Sequence, residues 1–256
     1  MTSGTIPRYT LRRMEEAVAV LDRLKETRYE WGPCPYGMET ARVVSAFSCE
    51  SLDAGVYEVA LADGWRRSGR VFYRNRCDGC DACVPIRVDA RNLAPSKSQR
   101  RAARANADLS VTVGELEFTE EDFLLFRRYL AARHPGDSSG FDEAGYRASY
   151  IESAVEGRIA RYRKQDGSLV ALGFLDALPD GLSSVYFAFD PAEAARSLGV
   201  FSVLAECAIA RSLGMRWYYL GFWVAGCRKM AYKAGFAPHE IARGGSWQAG
   251  DDGGSE

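Results

Sequence analysis

The stretch RIARYRKQDGSLVALGFLDALPDGLSSVYFAF, residues 158–189, decides the fold. Three runs in it, 158–163, 169–175 and 183–189, are rich in branched and aromatic residues and alternate as strands do. Asp166-Gly167 and Pro179-Asp180-Gly181 separate them, and both are turn signals. Three strands joined by connections this short must be antiparallel neighbours.

Reading outward from this meander, residues 199–213 have a helical pattern closed by Gly214, 216–222 form a very apolar strand, and 228–234 a short helix. A meander whose last strand feeds a helix and then a returning parallel strand is the order of a GNAT-type acyltransferase fold. The fold alone does not fix a function. Upstream, 110–116 reads as a strand, and Thr119 with Asp122 approximates a capping box for a helix running to about His134. The first half predicts a strand at 41–49, a helix capped by Ser51 and ended by Gly64, strand-like runs at 65–74 and 84–88, and a helix over 95–106 capped by Ser96. The expected class is α+β: a GNAT-like C-terminal half, 109–243, and a smaller N-terminal α/β region, 31–108, carrying a cysteine cluster. Residues 1–30 read as an extension, and the Gly/Ser/Asp-rich tail 244–256 is expected to be frayed.

The chain of 256 residues is 47% hydrophobic and 26% charged, which excludes disorder and fibrous classes. No apolar run is long enough to span a membrane and no signal-like segment opens the chain, so a cytoplasmic protein without membrane partners is expected. The formal net charge of −1 hides a segregation, because residues 66–104 hold eleven basic side chains against three acidic ones. A local site for a polyanion follows. Seven cysteines, three of them spaced C-x2-C-x2-C at Cys77, Cys80 and Cys83, do not suit a disulfide framework. They suit either a turn with reduced thiols or, with Cys34 or Cys49 as a distant fourth ligand, a zinc or iron–sulfur site.

Other segments carry chemistry. Pro95-Ser96-Lys97-Ser98-Gln99-Arg100-Arg101 joins a helix start to hydroxyls and cations that suit phosphate oxygens, with a solvated basic face as the plainer alternative. Arg196-Ser197-Leu198-Gly199 sits between a strand and a helix, as does the R-x-x-G loop that holds coenzyme A pyrophosphate. Trp223, Arg228, Lys229 and Lys233 place an aromatic and cations at the end of the last long strand, where a nucleobase and phosphates fit.

Taken in order, Pro33-Cys34-Pro35-Tyr36, Tyr73-Arg74 ahead of the Cys77 cluster, Pro95 to Arg101, Asn106-Ala107-Asp108-Leu109, Tyr129 to His134, Ser183 to Tyr186, Asp190-Pro191, Ser197-Leu198-Gly199, and Leu220-Gly221-Phe222-Trp223 to Lys233 resemble the aminoacyl-tRNA–protein transferases. That family includes eukaryotic arginyltransferases and compact bacterial aspartate/glutamate leucyltransferases, and the length here resembles the latter. The resemblance implies an aminoacyltransferase that needs no cofactor. It would take leucine, or alternatively arginine, from aminoacyl-tRNA and place it on proteins beginning with Asp or Glu, marking them for N-end-rule degradation. Arg74 and Arg76 are then candidates to receive the acceptor's carboxylate, and Tyr186 and Asp190 to serve the reacting groups. A coenzyme A-dependent acetyltransferase with Arg196 and Gly199 on the pyrophosphate is the more distant alternative.

Overall fold

A computed structural model describes residues 8–133 and 141–250. Helix α1 (Arg8–Leu21) is followed by β1 (Thr27–Pro33), which lies antiparallel to β2 (Ala41–Ser48). Asp53, not Ser51, caps α2 (Ala54–Ala62), its carboxylate accepting from the Gly55 and Val56 amides. The hairpin of β3 (Arg66–Ser68) and β4 (Val71–Asn75) then completes a four-stranded sheet in the order β1-β2-β4-β3. The hairpin turns at Gly69, where φ is +60° and an added Cβ would lie 1.8 Å from the Ala148 carbonyl oxygen, so glycine is required there.

Strand β5 (Val84–Asp89) leaves this sheet. After it come α3 (Lys97–Ala105), β6 (Ser110–Glu115), α4 (Glu120–Arg133) and α5 (Glu143–Tyr146). The meander follows as β7 (Gly157–Arg163), β8 (Leu169–Leu178) and β9 (Gly181–Phe189), then α6 (Leu198–Ser212), β10 (Trp217–Trp223), α7 (Arg228–Ala231), β11 (His239–Arg243) and β12 (Ser246–Ala249). These strands build an eight-stranded sheet, β12-β11-β5-β10-β9-β8-β7-β6, in which β9 and β10 are the parallel pair. The strand–helix–parallel strand order expected of a GNAT-type fold is therefore present. Because β5 sits between β10 and β11, the expected boundary at residue 108 falls within one sheet. His134 lies outside the described residues.

The expected frayed tail is corrected in part. Ser246–Ala249 pairs with β11, and Trp247 packs 5.6 Å from the Tyr219 ring while the Arg87 guanidinium lies 4.4 Å over the Trp247 ring. One half-buried aromatic anchor holds this short polar strand. Residues 251–256 lie outside the described residues.

The two sheets share a core. Phe47, Tyr57, Leu61, Trp65 and Phe72 of the smaller sheet and α2 pack against Leu178, Trp217 and Tyr219 of the larger. The Arg67 Nε donates to Asp176 Oδ1 at 2.6 Å across the same junction, both side chains being fully buried.

Candidate active site between diverging strands

Strands β9 and β10 pair only where Trp217–Tyr219 face Gly181–Ser183. Beyond that point β9 stays with β8 to Phe189 and β10 stays with β5 to Trp223, so the two parallel strands diverge. The β10–β5 register shifts between Tyr219 and Gly221, and Gly221 has φ +82°, a left-handed conformation natural to glycine.

A diverging strand loses ladder partners, and its freed carbonyls must bond elsewhere. Here they turn to cations. Lys233 Nζ donates to the Leu220 and Phe222 carbonyls, each at 2.8 Å, and Arg66 donates from a terminal nitrogen to the Gly221 carbonyl at 2.8 Å. The Arg66 guanidinium also lies 5.1 Å from the Phe222 ring centre and donates to its neighbour's carbonyl, that of Trp65, at 2.7 Å. Burial, reinforced by the positive charge of Arg66, pulls the Lys233 ammonium down to about 7. Lys233 thus points inward onto the strand, which corrects the expectation that it meets phosphates. Trp223 is also partly buried, packed against the core, and its indole Nε1 has no hydrogen-bond partner among the described residues.

The β9 side of the opening is aromatic. Tyr186 is half-buried, with the rings of Tyr150 at 5.3 Å, Phe126 at 5.5 Å and Tyr129 at 6.2 Å. Burial, with Tyr186 and Tyr73 as neighbours, pushes the Tyr150 hydroxyl well above its ordinary value. Tyr73 belongs to β4, so both sheets contribute to this wall.

Asp190, at the end of β9, has both carboxylate oxygens engaged. One of its oxygens accepts from the Ala192 amide at 3.0 Å, capping the turn Pro191–Arg196, and the other accepts from Arg128 at 3.0 Å. Arg196 is likewise spent. It donates to both Asp108 oxygens at 2.7 and 3.1 Å and to Glu193 at 2.6 Å, which removes the ground for a pyrophosphate-gripping loop. Gly199, one residue into α6, has open space where a Cβ would stand.

Arg74 stacks 4.5 Å over Trp65 and donates to Asp63 and to Glu26, so its guanidinium is already bound by two carboxylates. Arg76 is exposed, reaches Asp63 only at 3.4 Å, and lines a cavity of about 520 Å³ with Arg243, Phe222, Cys77, Cys80 and Cys83. The thiols lie near one another, and burial together with Cys34 and Cys77 pushes the Cys83 thiol up to about 11. Cys77 Sγ is engaged with the Val43 amide at 3.4 Å. Among the described residues no three or more His, Cys, Asp or Glu side chains are grouped closely enough to hold a metal ion in this arrangement.

The basic segment folds as expected. Ser96 caps α3 in a full capping box: the Gln99 amide donates to Ser96 Oγ at 3.3 Å and the Ser96 amide to Gln99 Oε1 at 2.8 Å, while Ser98 Oγ lies 3.0 Å from Ser96 Oγ. Gln99 is buried and donates to the Gly235 carbonyl at 2.8 Å, so it docks the helix rather than facing a ligand. Lys97, Arg100, Arg101 and Arg104 are exposed around a shallow depression of about 440 Å³. Arg228 and Lys229 are exposed on α7, and the Gln99–Gly235 bond ties α3 to the turn that follows it.

Sequence reasoning passed over Arg66. A pair of arginines in one strand had a signal to offer, since alternate residues of a strand face opposite ways and both faces are covered here.

Family models described as "Arginine-tRNA-protein transferase, N terminus" and "Arginine-tRNA-protein transferase, C terminus" match residues 32–101 and 121–243. An aspartate/glutamate leucyltransferase of Chromobacterium violaceum is 40% identical over 223 residues, covering 86% of this chain and 92% of its own. One of Parvibaculum lavamentivorans is 42% identical over 220 residues, covering 85% and 91%. A solved GCN5-related N-acetyltransferase from Kribbella flavida aligns over 94% of this chain and 98% of its own at 12% identity and a TM-score of 0.37.

Proposed function

Because the chain belongs to the arginine-tRNA–protein transferase family, we propose that it moves leucine from leucyl-tRNA to the N-terminal amine of proteins that begin with Asp or Glu, marking them for degradation. The observation that carries the leucyl assignment is the 40% identity that spans 92% of a bacterial aspartate/glutamate leucyltransferase.

The reaction is aminolysis of an ester. A bond forms between the acceptor nitrogen and the carbonyl carbon, the bond from that carbon to the ribose oxygen breaks, the amine loses a proton and the ribose oxygen gains one. The ester is already activated, so the enzyme's task is to bring the amine and ester together, worth up to about 7–11 kcal/mol, and to stabilise the oxyanion. A terminal amine titrates near 7.7–8.0, so roughly a tenth or more of it is neutral at pH 7, and a weak proton acceptor suffices.

The opening between β9 and β10 is where the reading places the aminoacyl ester, with the Tyr186 wall against the leucyl side chain. The exposed cations of α3, with Arg228 and Lys229, meet the tRNA phosphates. No helix of the described residues is long and apolar enough to cross a membrane.

Incubation with leucyl-tRNA and peptides that begin with Asp, Glu, Asn or Lys, followed by mass spectrometry, tests the reading. Leucine is expected on the Asp and Glu peptides. Absence of leucine from all four would refute it.

A further inference from the structure

Two cationic side chains, the buried Arg66 and the half-buried Lys233, meet at Gly221, and both donate to carbonyls there. Arg66 is only 5% exposed and feels the charge of the buried Asp176 carboxylate, yet neither it nor Lys233 is hydrogen-bonded to a carboxylate among the described residues. The contrast is the next residue along: Arg67 is equally buried and bonded to Asp176. Buried charges are ordinarily matched one for one, and a protein that sets Arg66 and Arg67 against the single carboxylate of Asp176, with Lys233 beside Arg66, sacrifices stability. Such a departure from the usual rule points to a function.

The donors also converge. Arg66 Nε is buried and has no hydrogen-bond partner among the described residues. A Cβ built on Gly221 would lie 3.7 Å from Arg66 Nε and 3.9 Å from Lys233 Nζ, so both cations flank the space that this glycine leaves open. The notch lies where β10 parts from β9. Phe222, whose ring centre lies 5.1 Å from the Arg66 guanidinium, is also part of the wall of the 520 Å³ cavity.

We propose that Arg66 and Lys233, at the Gly221 notch, receive the side-chain carboxylate of the acceptor's N-terminal Asp or Glu. This rests on the transferase reading above and adds to it the residues that select the acceptor. A guanidinium Nε–H and an ammonium on two sides of a small space match a carboxylate's oxygens. The tRNA phosphates are met instead by exposed cations, as a solvated backbone requires. Selection follows from the same charges: an uncharged N-terminal residue such as Asn brings no anion to the pair, whereas Asp or Glu places a carboxylate between them.

A carboxylate bound there favours the ammonium form of Lys233, whose charged neighbour in the unliganded protein is Arg66. Binding of an Asp peptide is therefore coupled to proton uptake. The unaltered full chain is titrated with peptides beginning Asp and Asn at pH 8, by calorimetry in buffers of different ionisation enthalpy. Events at the peptide amine are common to both peptides, so the difference isolates the notch. The Asp peptide is expected to bind more tightly than the Asn peptide and to take up more protons, and equal affinity for the two would overturn the proposal.

Kinetics supply the second measurement. Lys233→Met and Arg66→Gln are assayed with leucyl-tRNA and both peptides, alongside Arg76→Ala. The Asp-over-Asn ratio of kcat/KM is expected to fall at least about tenfold in the first two variants, mainly through KM, with the tRNA affinity kept. Equal loss of kcat for both peptides would assign the cations to the oxyanion or to the strand's architecture. A loss of selectivity in Arg76→Ala alone would move the carboxylate to the open cavity. Failure of the unaltered protein to transfer leucine to any peptide would refute the underlying reading together with the proposal.

Discussion

Replacing Arg100 and Arg101 with Ala removes two of four exposed cations of α3 and leaves the helix in place. The cap is made by Ser96 and Gln99, the docking bond by Gln99, and neither replaced side chain has an ion partner among the described residues. Exposed substitutions of this kind change stability by about 0.5 kcal/mol or less. Their effect on tRNA is larger. Each phosphate contact adds about 0.7–0.9 to the slope of log affinity against log salt, so Lys97, Arg100, Arg101 and Arg104 together contribute a slope of about 3. Through that slope a fourfold rise in salt weakens binding roughly 60-fold, and with two contacts left roughly 8-fold. Fluorescence anisotropy of labelled leucyl-tRNA across a salt series reads both slopes. An unchanged slope in a variant that melts normally would show that α3 is a solvated face and that tRNA lies elsewhere.

Glu206 is fully buried and accepts from the hydroxyls of Tyr162 and Tyr218, and burial raises its carboxyl to about 7. The folded chain then holds a proton that the unfolded chain releases near 4.5, so stability is full below that value and falls as pH rises to about 7, by on the order of 3 kcal/mol. Urea unfolding at pH 5, 6 and 7 is expected to show this decline in the parent and a flatter profile in Glu206→Gln; parallel profiles would contradict it. Asp176→Asn leaves Arg67 buried and unpaired, and a loss of about 3–5 kcal/mol is expected in the same assay, with less than about 1 kcal/mol counting against a true buried pair. Metal analysis of protein purified without oxygen decides the role of Cys34, Cys77, Cys80 and Cys83: stoichiometric zinc or iron that is lost in Cys80→Ser would make them ligands, and metal-free, fully active protein would make them structural thiols.

What the sequence made legible was whatever local periodicity encodes. The β7–β9 meander, α6 and the return to β10 follow from alternation, Gly and Asp-Gly turns, and a helical stripe, and the Ser96 capping box was visible as spaced polar residues. Partners distant in the chain were not. Arg196 finds Asp108 88 residues earlier, and Arg66 finds the Gly221 carbonyl 155 residues later, so neither role could be read from neighbours. Asp190 was misread although its signal was local: Asp followed by Pro191 marks a helical N-terminus, as Asp53 does for α2. An arginine inside a core is rare enough that charge patterning assigns it to the surface, which is why Arg66 was counted with the cations of α3.

The transferred amino acid is the most direct test of the whole account. Leucyl-tRNA and arginyl-tRNA, charged with different isotopes and supplied together in equal amounts, are offered with one peptide beginning with Asp. The peptide is expected to acquire leucine almost exclusively. Transfer of arginine in its place would contradict the leucyl assignment that the 40% identity supports, while leaving membership of the family intact.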